Sequence, residues 1–138
     1  MTLSELLEEL KGIDPETRDA IVCGIPLKPF CQYFTFDRCG QRSHQYQDVY
    51  LPFSQMEKDV ALLWLQGCVQ RACEKREWHW LVCMDCWREG EYRTEMSIIS
   101  ESCISDMVEI TTIAMKWGDS AAEALLAAYI AAVKGEKK

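Results

Sequence analysis

Residues 92–98 alternate between side chains suited to a protein core and side chains suited to water. The first set comprises Tyr92, Thr94, Met96 and Ile98, and the second comprises Arg93, Glu95 and Ser97. A period of two residues is typical of a β-strand with one buried and one solvated face. Such strands belong to antiparallel sheets that are covered on one side only. The rest of the chain must therefore supply neighbouring strands and a covering layer.

Three segments are predicted to complete the β-structure. Residues 78–98 are predicted to be a hairpin, and the inward side chains of its first strand are Trp78, Trp80, Val82 and Met84. Residues 31–51 contain two aromatic, β-prone segments separated by turn-forming residues, which indicates another hairpin. Residues 107–117 fit either a helix or a strand, and their β-branched run from Ile110 to Ile113 favours the strand.

Helical periodicity marks four other segments. Residues 3–11 repeat leucine at helical spacing, Asp14 and Pro15 begin a second helix that runs to about Cys23, and residues 119–134 are rich in alanine. Residues 54–76 form the longest predicted helix. Its predicted core face is Met56, Val60, Leu63, Trp64 and Gly67, widened by Leu62, Leu65, Val69 and Cys73. Capping boxes are predicted at Thr2–Glu5, Ser54–Glu57 and Ser120–Glu123.

These segments together predict an α+β fold. A small antiparallel β-sheet is packed with helices in residues 25–138, and an N-terminal helical pair occupies residues 1–24. The 138 residues are enough to bury a core without disulfides.

The charge balance restricts the classes of partner. The chain carries 15 Lys and Arg against 22 Asp and Glu, a net charge of −7. General binding to a phosphate backbone needs a basic surface, so a nucleic-acid partner is disfavoured. The N-terminus has no signal-peptide pattern, and the apolar run Ala124–Val133 is half the length of a membrane span. We therefore expect a cytoplasmic protein without a membrane partner and with reduced thiols.

A structural zinc site is the most specific chemistry that the cysteines offer. Cys83 and Cys86 form a CxxC pair at the end of a predicted strand, and two thiolates at this spacing converge when the backbone forms a knuckle. The remaining ligands would come from Cys39 together with Cys31 or His44. The alternative is that these cysteines are reduced and hold no metal. A redox pair is disfavoured because acidic residues surround the CxxC, which would raise the thiol pKa.

The other candidate residues point to packing or to contact. Cys23, Cys68, Cys73 and Cys103 are predicted to be core residues, and His79 is predicted to be a satisfied or surface residue. No nucleophile elbow, catalytic dyad or P-loop pattern occurs. Trp87 and Trp117 lie beside polar turns, which predicts exposure and makes them candidate anchors of a protein contact. The alternative is that both are half-buried residues at the rim of the core.

Two motifs in the second half carry a family resemblance. They are Asp59-Val60-Ala61-Leu62-Leu63-Trp64 and Gly118-Asp119-Ser120-Ala121-Ala122-Glu123-Ala124-Leu125. With the order helix, hairpin, strand and helix, residues 51–135 resemble the phage ABA-sandwich domain of small bacteriophage proteins. The resemblance implies an accessory protein of phage or prophage origin, and it implies no catalytic residues.

These observations predict a non-enzymatic phage or mobile-element accessory protein that binds a host protein in the host cytoplasm. The alternative is a zinc-ribbon-like nucleic-acid-binding adaptor, supported by the predicted metal site and by Arg38 and Arg42 near aromatic residues. A thiol-dependent enzyme ranks third.

Overall fold

The fold is α+β, as predicted, in a computed structural model that describes residues 2–36, 42–85, 87, 90–101 and 108–136. For residues 28–36, 42–48, 100, 101 and 136 it describes the backbone alone. The elements in chain order are α1 (Leu3–Ile13), α2 (Pro15–Cys23), β1 (Ile25–Phe36), β2 (Arg42–Leu51), a 3₁₀ turn (Phe53–Gln55), α3 (Lys58–Lys75), β3 (His79–Met84), β4 (Tyr92–Glu101), β5 (Val108–Gly118) and α4 (Ala121–Glu136).

The main sheet is antiparallel, with the strand order β3-β4-β5. Residues 108–118 are the strand that their β-branched run favours, and Ile113 is the extra residue of a bulge opposite Met96 and Ser97. Helix α4 packs across the sheet and contacts all three strands. The turn from β5 into α4 requires glycine at 118, because a Cβ added there would lie 2.6 Å from the backbone nitrogen of Ala124.

The core is built around α4. Its fully buried side chains include Leu125, Leu126 and Tyr129, which pack with Met96 and Leu65. The N-terminal helices contribute Leu6, Leu10 and Ile21 to the same cluster. None of the helices in the described residues is long and apolar enough to cross a membrane.

Helix α3 buries only part of the apolar surface that was predicted to face the core. The buried residues are Leu65, Cys68, Val69, Ala72 and Cys73, a continuous stripe at helical spacing. Of the predicted face, Val60 and Leu63 are exposed, Leu63 to 71%. Leu65, Val69 and Cys73 were predicted to widen the apolar face, and their burial is confirmed. The prediction was wrong for Val60 and Leu63, because both sides of this helix carry apolar residues and periodicity alone does not identify the side that meets α4 and the sheet.

Trp64 lies at the margin of the core instead of inside it. The ring is half-buried, its Nε1 donates to the carbonyl oxygen of Ile21 at 3.1 Å, and the Arg71 guanidinium lies 5.5 Å from the ring centroid. The indole thus joins α3 to α2 while part of it stays in contact with solvent.

The start of α3 also differs from the prediction. The helix begins at Lys58, and Glu57 at its N-cap makes no side-chain capping bond. A 3₁₀ turn at Phe53–Gln55 occupies the place of the predicted first turn. Each of the other two capping boxes forms the hydrogen bond from the backbone amide to the N-cap side chain. Thr2 accepts from the amide of Glu5 at 3.3 Å, and Ser120 accepts from the amide of Glu123 at 3.1 Å.

The hairpin β1–β2 is longer than predicted. Strand β1 begins at Ile25, although Pro26 and Pro29 argue against a strand. The register shifts between Leu27 and Phe30, so the segment that contains Pro29 is omitted from the ladder. A two-stranded sheet leaves one edge of each strand open, and an edge position tolerates a residue without an N–H.

Candidate protein-binding site

Asp85 organises the turn between β3 and β4. Its Oδ1 accepts from the backbone nitrogen of Trp87 at 2.8 Å, and its Oδ2 accepts from Nε1 of Trp117 at 2.6 Å. Its own amide donates to the carbonyl oxygen of Glu91 at 3.0 Å. One carboxylate therefore joins the hairpin turn to strand β5, 32 residues further along the chain.

Trp87 projects from this turn into solvent. Its side chain is 94% exposed, while its backbone is held by Asp85. A large exposed ring on a fixed backbone loses little conformational freedom when a partner covers it. Tryptophan is also strongly enriched among residues that dominate binding energy. The exposure predicted from the polar turn is confirmed for Trp87, whereas Trp117 is half-buried.

A cavity of about 400 Å³ lies beside Trp117. Its lining residues are Leu6, Glu91, Lys116, Trp117, Gly118, Asp119, Glu123 and Ala127. This groove contains three carboxylates and one ammonium group, together with the apolar surface of Trp117 and Leu6. Glu91 and Trp117 both connect it to Asp85 and hence to Trp87. The arrangement offers an aromatic anchor beside an acidic groove.

The predicted zinc ligands are only partly within the described residues. Cys83 is half-buried on β3, where Nη2 of Arg93 donates to its Sγ at 3.6 Å. Cys86 and Cys39 lie outside the described residues. The backbone places Cys31 opposite Tyr46 and His44 opposite Phe34 in the β1–β2 hairpin. Among the described side chains, no group of three or more His, Cys, Asp or Glu is placed to hold a metal ion.

The zinc hypothesis stays a prediction with a direct test. If Cys83 and Cys86 bind zinc, purified protein should contain about one equivalent of the metal, with Zn–S distances of about 2.3 Å. The double variant Cys83→Ser/Cys86→Ser should then lose the metal and much of its stability, because metal-binding energy contributes to folding. Elemental analysis and melting curves with and without a chelator measure both effects. Metal-free protein whose melting temperature does not respond to the chelator would exclude the site.

The remaining cysteines divide into buried and exposed residues. Cys68 and Cys73 are core residues as predicted, and burial raises the pKa of Cys73 to about 12. The prediction for Cys23 was wrong: it is exposed at the end of α2, where Ile21 is the buried residue. Cys103 lies outside the described residues. His79 is exposed, in agreement with its interpretation as a surface residue.

A second polar cluster joins the N-terminal helices to α4. The hydroxyl of Tyr129 donates to Oδ2 of Asp14, which also accepts from Oγ1 of Thr17 at 2.6 Å. Nε of Arg76 donates to the Tyr129 oxygen at 3.2 Å, and its guanidinium lies 5.1 Å from the Trp78 ring centroid. Asp14 is the C-cap of α1 and the N-cap of α2, so the cluster fixes the corner between them.

The Asp14 carboxylate should make the free energy of unfolding fall at low pH. Burial raises its pKa, but hydrogen bonds from Thr17 and Tyr129 and the charge of Arg76 outweigh burial, so the pKa lies below its ordinary value. The resulting stabilisation is complete above the unfolded pKa, about 3.9, and is lost as pH falls through the folded pKa. Urea unfolding between about pH 5 and pH 2.5 should show a smaller acid-induced loss for Asp14→Asn than for Asp19→Asn, which removes an exposed carboxylate of the same helix. Equal losses would contradict this role of Asp14.

No protein-family model, no curated protein and no solved structure matches this chain.

Proposed function

We propose that the chain is a non-enzymatic accessory protein of phage or mobile-element type, which binds a host protein in the host cytoplasm. The observation that carries this proposal is Trp87, whose side chain is 94% exposed on a backbone fixed by Asp85. Covering this indole with the surface of a partner would remove apolar area from water, which is favourable. The origin of the protein is proposed from its resemblance to phage ABA-sandwich domains.

The charges indicate which surface a partner would present. The groove beside Trp117 carries Glu91, Asp119 and Glu123 against Lys116, in a chain with a net charge of −7. A partner surface with an excess of lysine and arginine would be steered toward this groove, and its association rate would fall as salt is added. The same charges disfavour the alternative adaptor function, since a nucleic acid would bring phosphates to a surface rich in carboxylates.

Trp87→Ala should abolish partner capture without unfolding the protein. Central aromatic anchors of interfaces cost about 2–4 kcal/mol when truncated, which is a loss of roughly 30- to 1,000-fold in affinity. The test is quantitative affinity capture from a bacterial host lysate with wild-type and variant baits. Leu63→Ala is the matched control, because Leu63 is 71% exposed on α3 and does not line the groove.

The proposal requires a protein that the wild type and Leu63→Ala both enrich and that Trp87→Ala does not. Glu91→Gln/Glu123→Gln should weaken the same capture at low salt, since both carboxylates line the groove. Recovery of the same proteins at the same level by Trp87→Ala would show that this indole is not the anchor.

A further inference from the structure

Strand β4 extends beyond its neighbour β3. The β3 ladder ends where His79 pairs with Ser97, whereas β4 continues to Glu101 and pairs there with β5 alone. Alternate residues of a strand point their N–H and C=O groups to the same side. Two of the four residues from Ile98 to Glu101 therefore direct backbone groups to the side where β3 has ended, and none of these groups is hydrogen-bonded to another described backbone segment.

A cavity of about 500 Å³ opens at this step in the sheet. Its lining residues are Glu74, Glu77, Trp78, His79, Trp80 and Ile99. Glu74 and Glu77 are exposed, and neither forms an ion pair with a described residue. The nearby cations at the end of α3 have other partners. Nζ of Lys75 lies 3.6 Å from Oε1 of Glu16, and Nε of Arg76 donates to the hydroxyl oxygen of Tyr129. We call this cavity with the Ile98–Glu101 edge the β4 notch.

The backbone at Glu77 is strained. Its φ is +60°, the left-handed region, in the turn between α3 and β3. A non-glycine residue in this conformation costs of order 1 kcal/mol, and such costs recur at binding sites. The notch lies beside this turn, since Glu77 and Trp78 line its cavity.

We propose that the β4 notch binds a short, extended, lysine- or arginine-rich segment of another protein by strand addition to β4. Backbone hydrogen bonds between the segment and Ile98–Glu101 align it with β4, because an added strand pairs through main-chain groups. Glu74 and Glu77 receive the basic side chains, and Trp80 and Ile99 receive apolar ones. The notch lies at the end of β3 opposite to Asp85 and Trp87, so the inference does not rest on the proposed function.

Charge complementarity selects a basic peptide over a second copy of this chain. Two copies would each bring a net charge of −7, and their mutual repulsion opposes edge-to-edge pairing. A basic segment instead pairs with two carboxylates that have no ion-pair partner among the described residues.

The test uses a defined probe, the acetylated and amidated peptide Lys-Val-Lys-Val-Lys-Val. Isothermal titration calorimetry at low salt should show saturable binding to the full chain. The same peptide with N-methylated valines keeps the charge but loses backbone donors and strand geometry, and should bind at least tenfold more weakly. Hydrogen exchange should slow at Ile98–Glu101 when the unmodified peptide is present.

Matched variants separate the notch from general electrostatics. Glu74→Gln/Glu77→Gln should weaken binding roughly tenfold, because each exposed ion pair contributes up to about a fivefold effect. Glu5→Gln/Glu8→Gln makes the same change in charge on the exposed side of α1 and should leave affinity within about twofold. If the double notch variant fails to fold, Glu74→Gln alone should weaken binding about threefold.

Four results would overturn the proposal: no binding of the peptide, equal losses in both double variants, equal binding of the N-methylated peptide, or protection confined to residues outside 98–101. Protection of Ile98–Glu101 that rises with protein concentration alone would assign this edge to a second copy. Loss of Trp87-dependent capture has no effect on any of these measurements, so failures of the two proposals are distinguishable.

Discussion

Leu65→Ala is expected to lower the free energy of unfolding by about 2–5 kcal/mol, whereas Leu63→Ala should change it by less than about 0.5 kcal/mol. The two leucines lie two residues apart on α3. Leu65 is fully buried in the core with Val69, Leu125 and Met96, and its removal leaves a cavity. Leu63 is 71% exposed, so its truncation removes little buried surface.

Urea unfolding of both variants and the wild type measures this difference, and unchanged m-values would show that the transitions are comparable. A large loss for Leu63→Ala with a small one for Leu65→Ala would mean that α3 is rotated about its axis relative to this structure.

Gly24→Ala is expected to cost about 3 kcal/mol or more. Gly24 ends α2 with φ +95° and ψ −165°, a region that only glycine occupies readily. An added Cβ would also lie 1.8 Å from the carbonyl oxygen of Leu51, so the end of β2 would have to move. The backbone strain at residue 24 and the displacement of the end of β2 therefore both lower the free energy of unfolding.

Gly12→Ala is the matched control. Gly12 lies inside α1, and an added Cβ there meets no atom within 4 Å. Alanine has the higher helix propensity, so this variant should be stabilised by up to about 1 kcal/mol. Thermal unfolding of the two variants should therefore shift in opposite directions. A Gly24→Ala protein as stable as the wild type would contradict the backbone conformation at this corner.

Local patterns predicted the elements of the second half. The alternation in residues 92–98 corresponds to β4, in which Thr94 and Met96 are fully buried. The β-branched run after Glu109 corresponds to β5, and the alanine-rich segment corresponds to α4. In each case one type of side chain repeats at the period of one type of element, and tertiary contacts reinforce the same choice.

Other features depend on contacts that no local pattern contains. The buried side of α3 is decided by α4 and the sheet, because Leu63 and Leu65 are equally apolar. Strand β1 contains two prolines, which an edge strand and a register shift accommodate. Helix α1 continues past the predicted end at residue 11 to Ile13, where Asp14 supplies the C-cap.

Only part of the candidate site could be predicted from the sequence. Exposure of Trp87 follows from its position in a polar turn, and this part was predicted. The role of Asp85 was missed, because its partner Trp117 is 32 residues away and the pairing requires the register of β4 with β5. The cluster of Asp14 with Tyr129 spans 115 residues and was invisible for the same reason.

Under the function proposed above, Trp87 contacts a partner protein in the cell. The most direct measurement keeps Trp87, replaces the exposed groove residue Lys116 with a photo-crosslinking phenylalanine analogue, and illuminates bacterial host cells that contain this variant. Leu63 replaced in the same way is the control, since that position is also exposed but lies outside the proposed contact. We expect a discrete crosslinked protein at position 116 that is absent at position 63 and is lost when Trp87→Ala is added. No adduct at position 116, the same adducts at both positions, or an adduct that Trp87→Ala leaves unchanged would contradict the proposal.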